Sequence, residues 1–197
     1  MPNHRHARVL KPATTSPWAY HLNYFSPSEC DKIIQQGLVL PTIEGNLGQD
    51  KSIDKSIRIS TVSFFDADDV DHAWIFDKVQ AAVDSFNRQF WNFDLEYIEC
   101  LQFSQYKDPG DFYASHMDMF YAKDEVRKLS LSVQLSDPNT YTGSDLLIFA
   151  NGENFTNTPR EHGSIIMFPS YQVHKVTPIT SGTRYSLVSW IIGKPFK

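Results

Sequence analysis

His116 and Asp118, in the run HMDMF, and His174, in FPSYQVHKV, are the residues of this sequence best suited to act together. Two imidazoles and one carboxylate can hold non-haem Fe(II) on one face of the ion and leave other positions open for substrate and oxygen. Beyond His174 stands Arg184. An arginine there can clamp the far carboxylate of a bound 2-oxo acid through a fork of charge-assisted hydrogen bonds. Each residue alone says little, because an HxD pair arises by chance and a strand arginine ordinarily pairs with a structural acid. Together the four point to an oxygenase.

These side chains need elements that aim them. In an extended run side chains alternate, so His116 and Asp118 share a face, while Met117 and Met119 point the other way as core filler. The same alternation puts Arg184, Ser186, Val188 and Trp190 on one face of a last strand, with Tyr185, Leu187, Ser189 and Ile191 on the other. An inward Arg184 needs an anion, since a lone buried charge is costly. A dicarboxylate cosubstrate supplies one.

Upstream, SPSECDKIIQQGL predicts a helix capped by Ser26 or Ser28, with Pro27 in its first turn and Gly37 at its end. Residues 41–56 are polar and turn-rich, and predict a surface loop; IRISTVSFF predicts a strand. Asp66 to Asp69 mark an acidic helix start, with Val70, Trp74, Ile75, Val79, Ala82, Val83 and Phe86 as its apolar face. After Asn92 the chain turns to short apolar runs broken by DPG, DPNTYTG, NGEN and TSG, which predict seven or eight strands. The fold class expected is α+β, with N-terminal helices packed on one sheet of a sandwich or jelly roll. We expect a single domain over 1–197, with 1–17 a loose arm and 95–197 the β core.

Composition narrows the functions. The net charge of −5 and mixed signs offer no broad basic face to nucleic acid or an anionic membrane. Cys30 and Cys100 stand far apart and outside any CxxC pattern, which suits a reducing cytoplasm. No apolar run reaches the length of a membrane span, and the N-terminus lacks the apolar core of a signal peptide. The expectation is a cytoplasmic protein.

From about Leu101 onward the chain resembles the prolyl-4-hydroxylase-like branch of the iron- and 2-oxoglutarate-dependent oxygenases, most of all its bacterial and phage hydroxylases. The runs that carry the resemblance are LQFSQYKDPGDFYASHMD, RKLSLSVQLSDPNTYTGSDL and GSIIMFPSYQVHKVTPITSGTRYSLVSW. It implies a double-stranded β-helix, a jelly roll. It implies His116, Asp118 and His174 as Fe(II) ligands, and Arg184 on the distal carboxylate of 2-oxoglutarate. Tyr106, Ser186 and Gln134 match cosubstrate contacts; Trp190 matches a wall of the metal pocket and Tyr113 faces the substrate. No catalytic residue beyond the metal ligands is expected.

The implied reaction consumes O2 and 2-oxoglutarate, releases succinate and CO2, and hydroxylates a peptidyl or free amino-acid side chain, with ascorbate as an optional reductant. The alternatives are a nucleic-acid oxidative demethylase and a non-catalytic jelly-roll binding module. The demethylases place a second arginine six residues after the first, and here that place holds Trp190. Where the family has Gly-Gly in the long turn, this chain has Gly143-Ser144. His162 is an alternative third ligand by residue type, expected to be exposed in a turn before Gly163.

Overall fold

The computed structural model describes residues 16–45, 54–107, 109–122, 124–150, 152 and 154–196. Most of the expected N-terminal arm and half of the 41–56 segment, residues 46–53, lie outside the described residues. In chain order the elements are β1 (Ala19–His21), α1 (Pro27–Leu38), β2 (Ile43–Glu44), β3 (Arg58–Ile59), β4 (Thr61–Phe65) and α2 (Ala73–Phe86), which runs into a π-helical turn, Asn87–Trp91. There follow β5 (Tyr97–Lys107), β6 (Phe112–His116), β7 (Tyr121–Ala122), β8 (Glu125–Gln134), β9 (Tyr141–Gly143) and β10 (Leu146–Ala150). The chain closes with β11 (Asn154–Asn157), β12 (Ile165–Pro169), β13 (His174–Val176) and β14 (Ile179–Gly193).

The strands form two facing sheets, the jelly roll that was expected. The larger runs β1-β12-β8-β14-β5-β4-β2, with β7 on β8 and β9 on β14; the smaller runs β11-β10-β13-β6-β3. The larger sheet has an unusual polarity. Its outer face carries Leu101, Phe103, Leu129, Leu131, Val133, Leu187 and Ile191, which pack with Cys30 and Ile33 of α1 and Ile75, Val79 and Val83 of α2. Its inner face is polar along β5, β8 and β14. A second apolar cluster, with Ile148, Ile166, Phe168 and Ile179, fills one end of the space between the sheets.

Local chemistry explains the helices. Ser26 caps α1, its hydroxyl accepting from Glu29 N–H while the Glu29 carboxylate accepts from Ser26 N–H at 2.7 Å. Glu29 also receives Lys78 of α2 at 2.6 Å, which ties the two helices together. Gly37 does not end α1. It lies within the helix where a Cβ would meet the Phe103 ring at 2.6 Å, so the glycine allows helix and sheet to approach. The second helix starts later than its acidic prelude suggests, because Asp66 and Asp69 accept from the N–H groups of Asp68 and Asp71 and form turns instead. Val70 is left 85% exposed, off the apolar face assigned to it.

Two further expectations are corrected. IRISTVSFF is two strands in different sheets, β3 in the smaller and β4 in the larger, with only Ser60 between them. Within the polar 41–56 segment, Ile43 and Glu44 are not loop: they pair with Val62 and Thr61 as an edge strand.

The turn before β10 keeps its left-handed backbone without the second glycine. Gly143 has φ +74° and Ser144 φ +52°. Ser144 is 1% exposed, and its hydroxyl has no hydrogen-bond partner among the described residues. Ser144→Gly is therefore expected to stabilise the fold by about 1 kcal/mol, since it relieves left-handed strain and removes an unsatisfied hydroxyl. A urea midpoint equal to or below the parent's would refute this account.

Candidate active site

The smaller sheet supplies the trio. β6 ends at His116 and β13 begins at His174, and the two are Cα partners across the antiparallel pair. Their ring centroids lie 4.1 Å apart. Asp118 falls just past β6, so strand parity alone does not place it. Its N–H and that of Met119 donate to the Ser170 carbonyl at 3.0 and 2.8 Å. Ser170 is fixed in turn, its N–H donating to the Lys128 carbonyl and its hydroxyl meeting that of Ser130 at 2.9 Å. Met117 is 55% exposed and fills no core.

Hydrogen bonds set the imidazole tautomers. Nδ1–H of His116 donates to the Ala114 carbonyl at 2.8 Å, and Nδ1–H of His174 to the Gln172 carbonyl at 3.0 Å. Both Nε2 lone pairs remain free and lie 3.5 and 3.4 Å from the two carboxylate oxygens of Asp118. One ligand atom from each residue falls within 4.8 Å of the others, close enough for one ion to touch all three. Burial pushes the Asp118 carboxyl up, but His174 and His116 outweigh it and hold the group well below the usual carboxylate range. Burial, helped by His116 and opposed by Asp118, holds His174 below its ordinary value. A charged carboxylate beside a neutral imidazole is what a metal ligand set requires.

One wall of the cleft is a stack. Tyr113 lies almost parallel to His116, with ring centroids 3.6 Å apart and planes 17° apart. The Arg58 guanidinium also lies over that tyrosine ring, 4.7 Å from its centroid, and donates from Nε to Ser60 Oγ at 2.8 Å. Burial raises the Tyr113 hydroxyl to about 12, so it stays protonated at neutral pH. Sequence reasoning missed Arg58. Its signal was present in the run IRIS, where Arg58 and Ser60 alternate with apolar residues.

The facing wall belongs to the larger sheet. Arg184 is 1% exposed, and its Nε and Nη2 donate to Gln134 Oε1 at 3.1 and 2.8 Å. No carboxylate pairs with it among the described residues. Tyr106 is its Cα partner on β5, with the ring 5.6 Å from the guanidinium. Ser186, cross-strand from Gln134, has a buried hydroxyl without a partner. Trp190 Nε1 also lacks a hydrogen bond of full geometry, although it lies near enough to Asp118 to help keep that carboxylate charged. Arg127 covers the Trp190 ring at 4.1 Å and is itself clamped by Glu99 through two contacts of 2.6 Å.

His116, Asp118, His174, Arg184, Tyr106, Ser186, Tyr113 and Trp190 thus come together in one cleft. Gln134 does not line it and stands behind Arg184. His162, expected to be exposed, is half-buried with its Nε2 shielded and without a partner, and it is not part of the trio's cluster. The donor set fits Fe(II), and a buried guanidinium with no carboxylate, beside an orphaned hydroxyl, fits the carboxylate of 2-oxoglutarate.

The comparisons agree with this geometry. The family model of the 2OG-Fe(II) oxygenase superfamily matches residues 101–192. A PKHD-type hydroxylase of Synechococcus sp. (strain CC9605) is 37% identical over 82 residues, which cover 42% of this chain and 37% of that protein. A second, from Synechococcus elongatus, is 34% identical over 99 residues, 48% of this chain and 43% of the relative. The match therefore spans less than half the length of these curated relatives. In fold, the chain is similar to a prolyl hydroxylase from Trichoplax adhaerens, solved with a hypoxia inducible factor peptide fragment. The TM-score is 0.76 at 18% identity, over 91% of this chain and 84% of that one. A viral collagen prolyl hydroxylase from Paramecium Bursaria Chlorella virus-1, solved as a 2OG complex, gives a TM-score of 0.67 at 20% identity, over 90% and 97%. Over residues 101–192 the chain is thus similar to the 2OG-Fe(II) oxygenase superfamily, and it shares the jelly-roll fold of the prolyl hydroxylases.

Proposed function

We propose that the protein is an Fe(II)- and 2-oxoglutarate-dependent dioxygenase that hydroxylates a peptidyl or free amino-acid side chain. The observation that carries this reading is the fully buried, carboxylate-free Arg184 in the cleft that also holds the trio. His116, Asp118 and His174 hold the metal, and Arg184, Tyr106 and Ser186 hold the cosubstrate. Bound Fe(II), with O2 and 2-oxoglutarate, supplies the oxidising chemistry and yields succinate and CO2.

The side chains orient and exclude. The Nδ1–H bonds keep both imidazoles edge-on to the metal position, and the Tyr113 and Trp190 rings wall it from water. No general base is required of the chain. Tyr113 and Arg58, which line the cleft beside His116, are the side chains we assign to meet a substrate. No helix among the described residues is long and apolar enough to cross a membrane, and the free thiols of Cys30 and Cys100 suit a cytoplasmic setting, with ascorbate as an optional reductant.

Purified protein supplied with Fe(II), 2-oxoglutarate and O2 is expected to release succinate above its uncoupled background with a peptide or amino acid, and not with an oligonucleotide. Stimulation by a methylated oligonucleotide alone would move the protein to the demethylases. No stimulation by any class, with no 2-oxoglutarate binding, would leave a binding module.

A further inference from the structure

Gln134 is the one residue expected at the cosubstrate that does not line the cleft. It is 1% exposed and held on every side: its N–H donates to the Ser164 carbonyl at 2.9 Å, its carbonyl accepts from Gly163 N–H at 2.7 Å, and its side-chain Nε2 donates to the Pro159 carbonyl at 3.2 Å. With the amide nitrogen committed to Pro159, the amide oxygen must face Arg184. There it accepts from Nε and Nη2 together, at 3.1 and 2.8 Å.

A guanidinium offers two forks, a side-on edge of Nε and one Nη, and an end-on edge of both Nη atoms. Gln134 fills the side-on edge. Nη1 has no hydrogen-bond partner among the described residues, and Arg184 lines the cleft. The partner is also neutral. An acid at this place would satisfy the guanidinium fully and cancel the charge that draws an anion. Resting on the proposed reaction, we infer that Gln134 is a positioning residue that turns the end-on fork of Arg184 toward the distal carboxylate of 2-oxoglutarate and leaves its charge uncompensated.

The test is direct binding. Protein loaded with Mn(II) is titrated with 2-oxoglutarate by calorimetry, for wild type, the isosteric Q134E and the apolar Q134M. Q134E is expected to raise Kd at least about 50-fold and Q134M about 5- to 10-fold, because the first competes for the fork and the second only frees it to turn. Mn(II) affinity is expected to stay within about 3-fold in both, since Gln134 touches no ligand of the trio. In turnover the change is expected in the KM for 2-oxoglutarate, with kcat at saturation preserved. Wild-type affinity in Q134E would overturn the inference; if Q134E does not fold, unchanged affinity in Q134M overturns it equally. Absence of 2-oxoglutarate binding by wild type would instead bring down the proposed function, and this inference with it.

Discussion

Asp118→Ala is expected to lose divalent-metal binding by more than about 100-fold and, with it, all 2-oxoglutarate turnover, while the protein still melts cooperatively. Replacing a residue that only orients a ligand already costs about 10- to 100-fold. Asp118 is more than that: it is the only anion of the trio, and both Nε2 atoms converge on its oxygens at 3.5 and 3.4 Å. Its backbone is anchored independently, through Ser170, so the loop should survive the loss of the side chain. Titration of the metal-free variant with Co(II), read from the visible bands of the bound ion, measures this directly. Wild-type Co(II) affinity in Asp118→Ala would show that the trio does not hold the metal.

Arg184→Met is expected to separate affinity from stability. The lost fork contributes roughly 2–3 kcal/mol to cosubstrate binding, so the Kd for 2-oxoglutarate should rise roughly 30- to 150-fold. The ligand-free protein is expected to melt no lower than wild type. Arg184 is a buried cation whose only hydrogen-bonding partner among the described residues is a neutral amide, and an apolar chain of similar length removes that desolvation cost. Added 2-oxoglutarate should therefore raise the melting temperature of the metal-loaded wild type by mass action and leave that of the variant almost unmoved. An equal ligand-induced shift in both proteins would exclude Arg184 from the cosubstrate site. A large drop in the ligand-free melting temperature would mean that its role is structural.

The last strand shows how much of the site was legible in advance. Period-two alternation put Arg184, Ser186 and Trp190 on one face, and they do line one cleft, while Leu187 and Ile191 pack toward the helices. The same argument was right about His116 and Asp118 sharing a site but gave the wrong reason, since Asp118 lies beyond the strand and is set by Ser170. Met117, assigned to the core by that parity, is in solvent for the same cause. Periodicity reads within an element and is blind to what another loop does at its end. Arg58 escaped because IRISTVSFF reads as one strand, and nothing local reveals that the chain changes sheets at Ser60. His174 opposite His116, and Gln134 behind Arg184, depend on register between distant strands, which no single segment encodes.

The inverted polarity of the larger sheet has a consequence for what counts as a unit here. Residues 101–192 hold the whole trio and the strands that carry Tyr106, Arg184 and Ser186 into the cleft. Yet Leu101, Phe103, Leu129, Leu187 and Ile191 face away from that cleft, toward α1 and α2. Cut at residue 95, the β part would keep every ligand and bare its most apolar surface to water. The helices line no part of the cleft, yet they cover the apolar face of the sheet that builds it. The half of the chain that carries the cleft therefore depends on the other half for its cover.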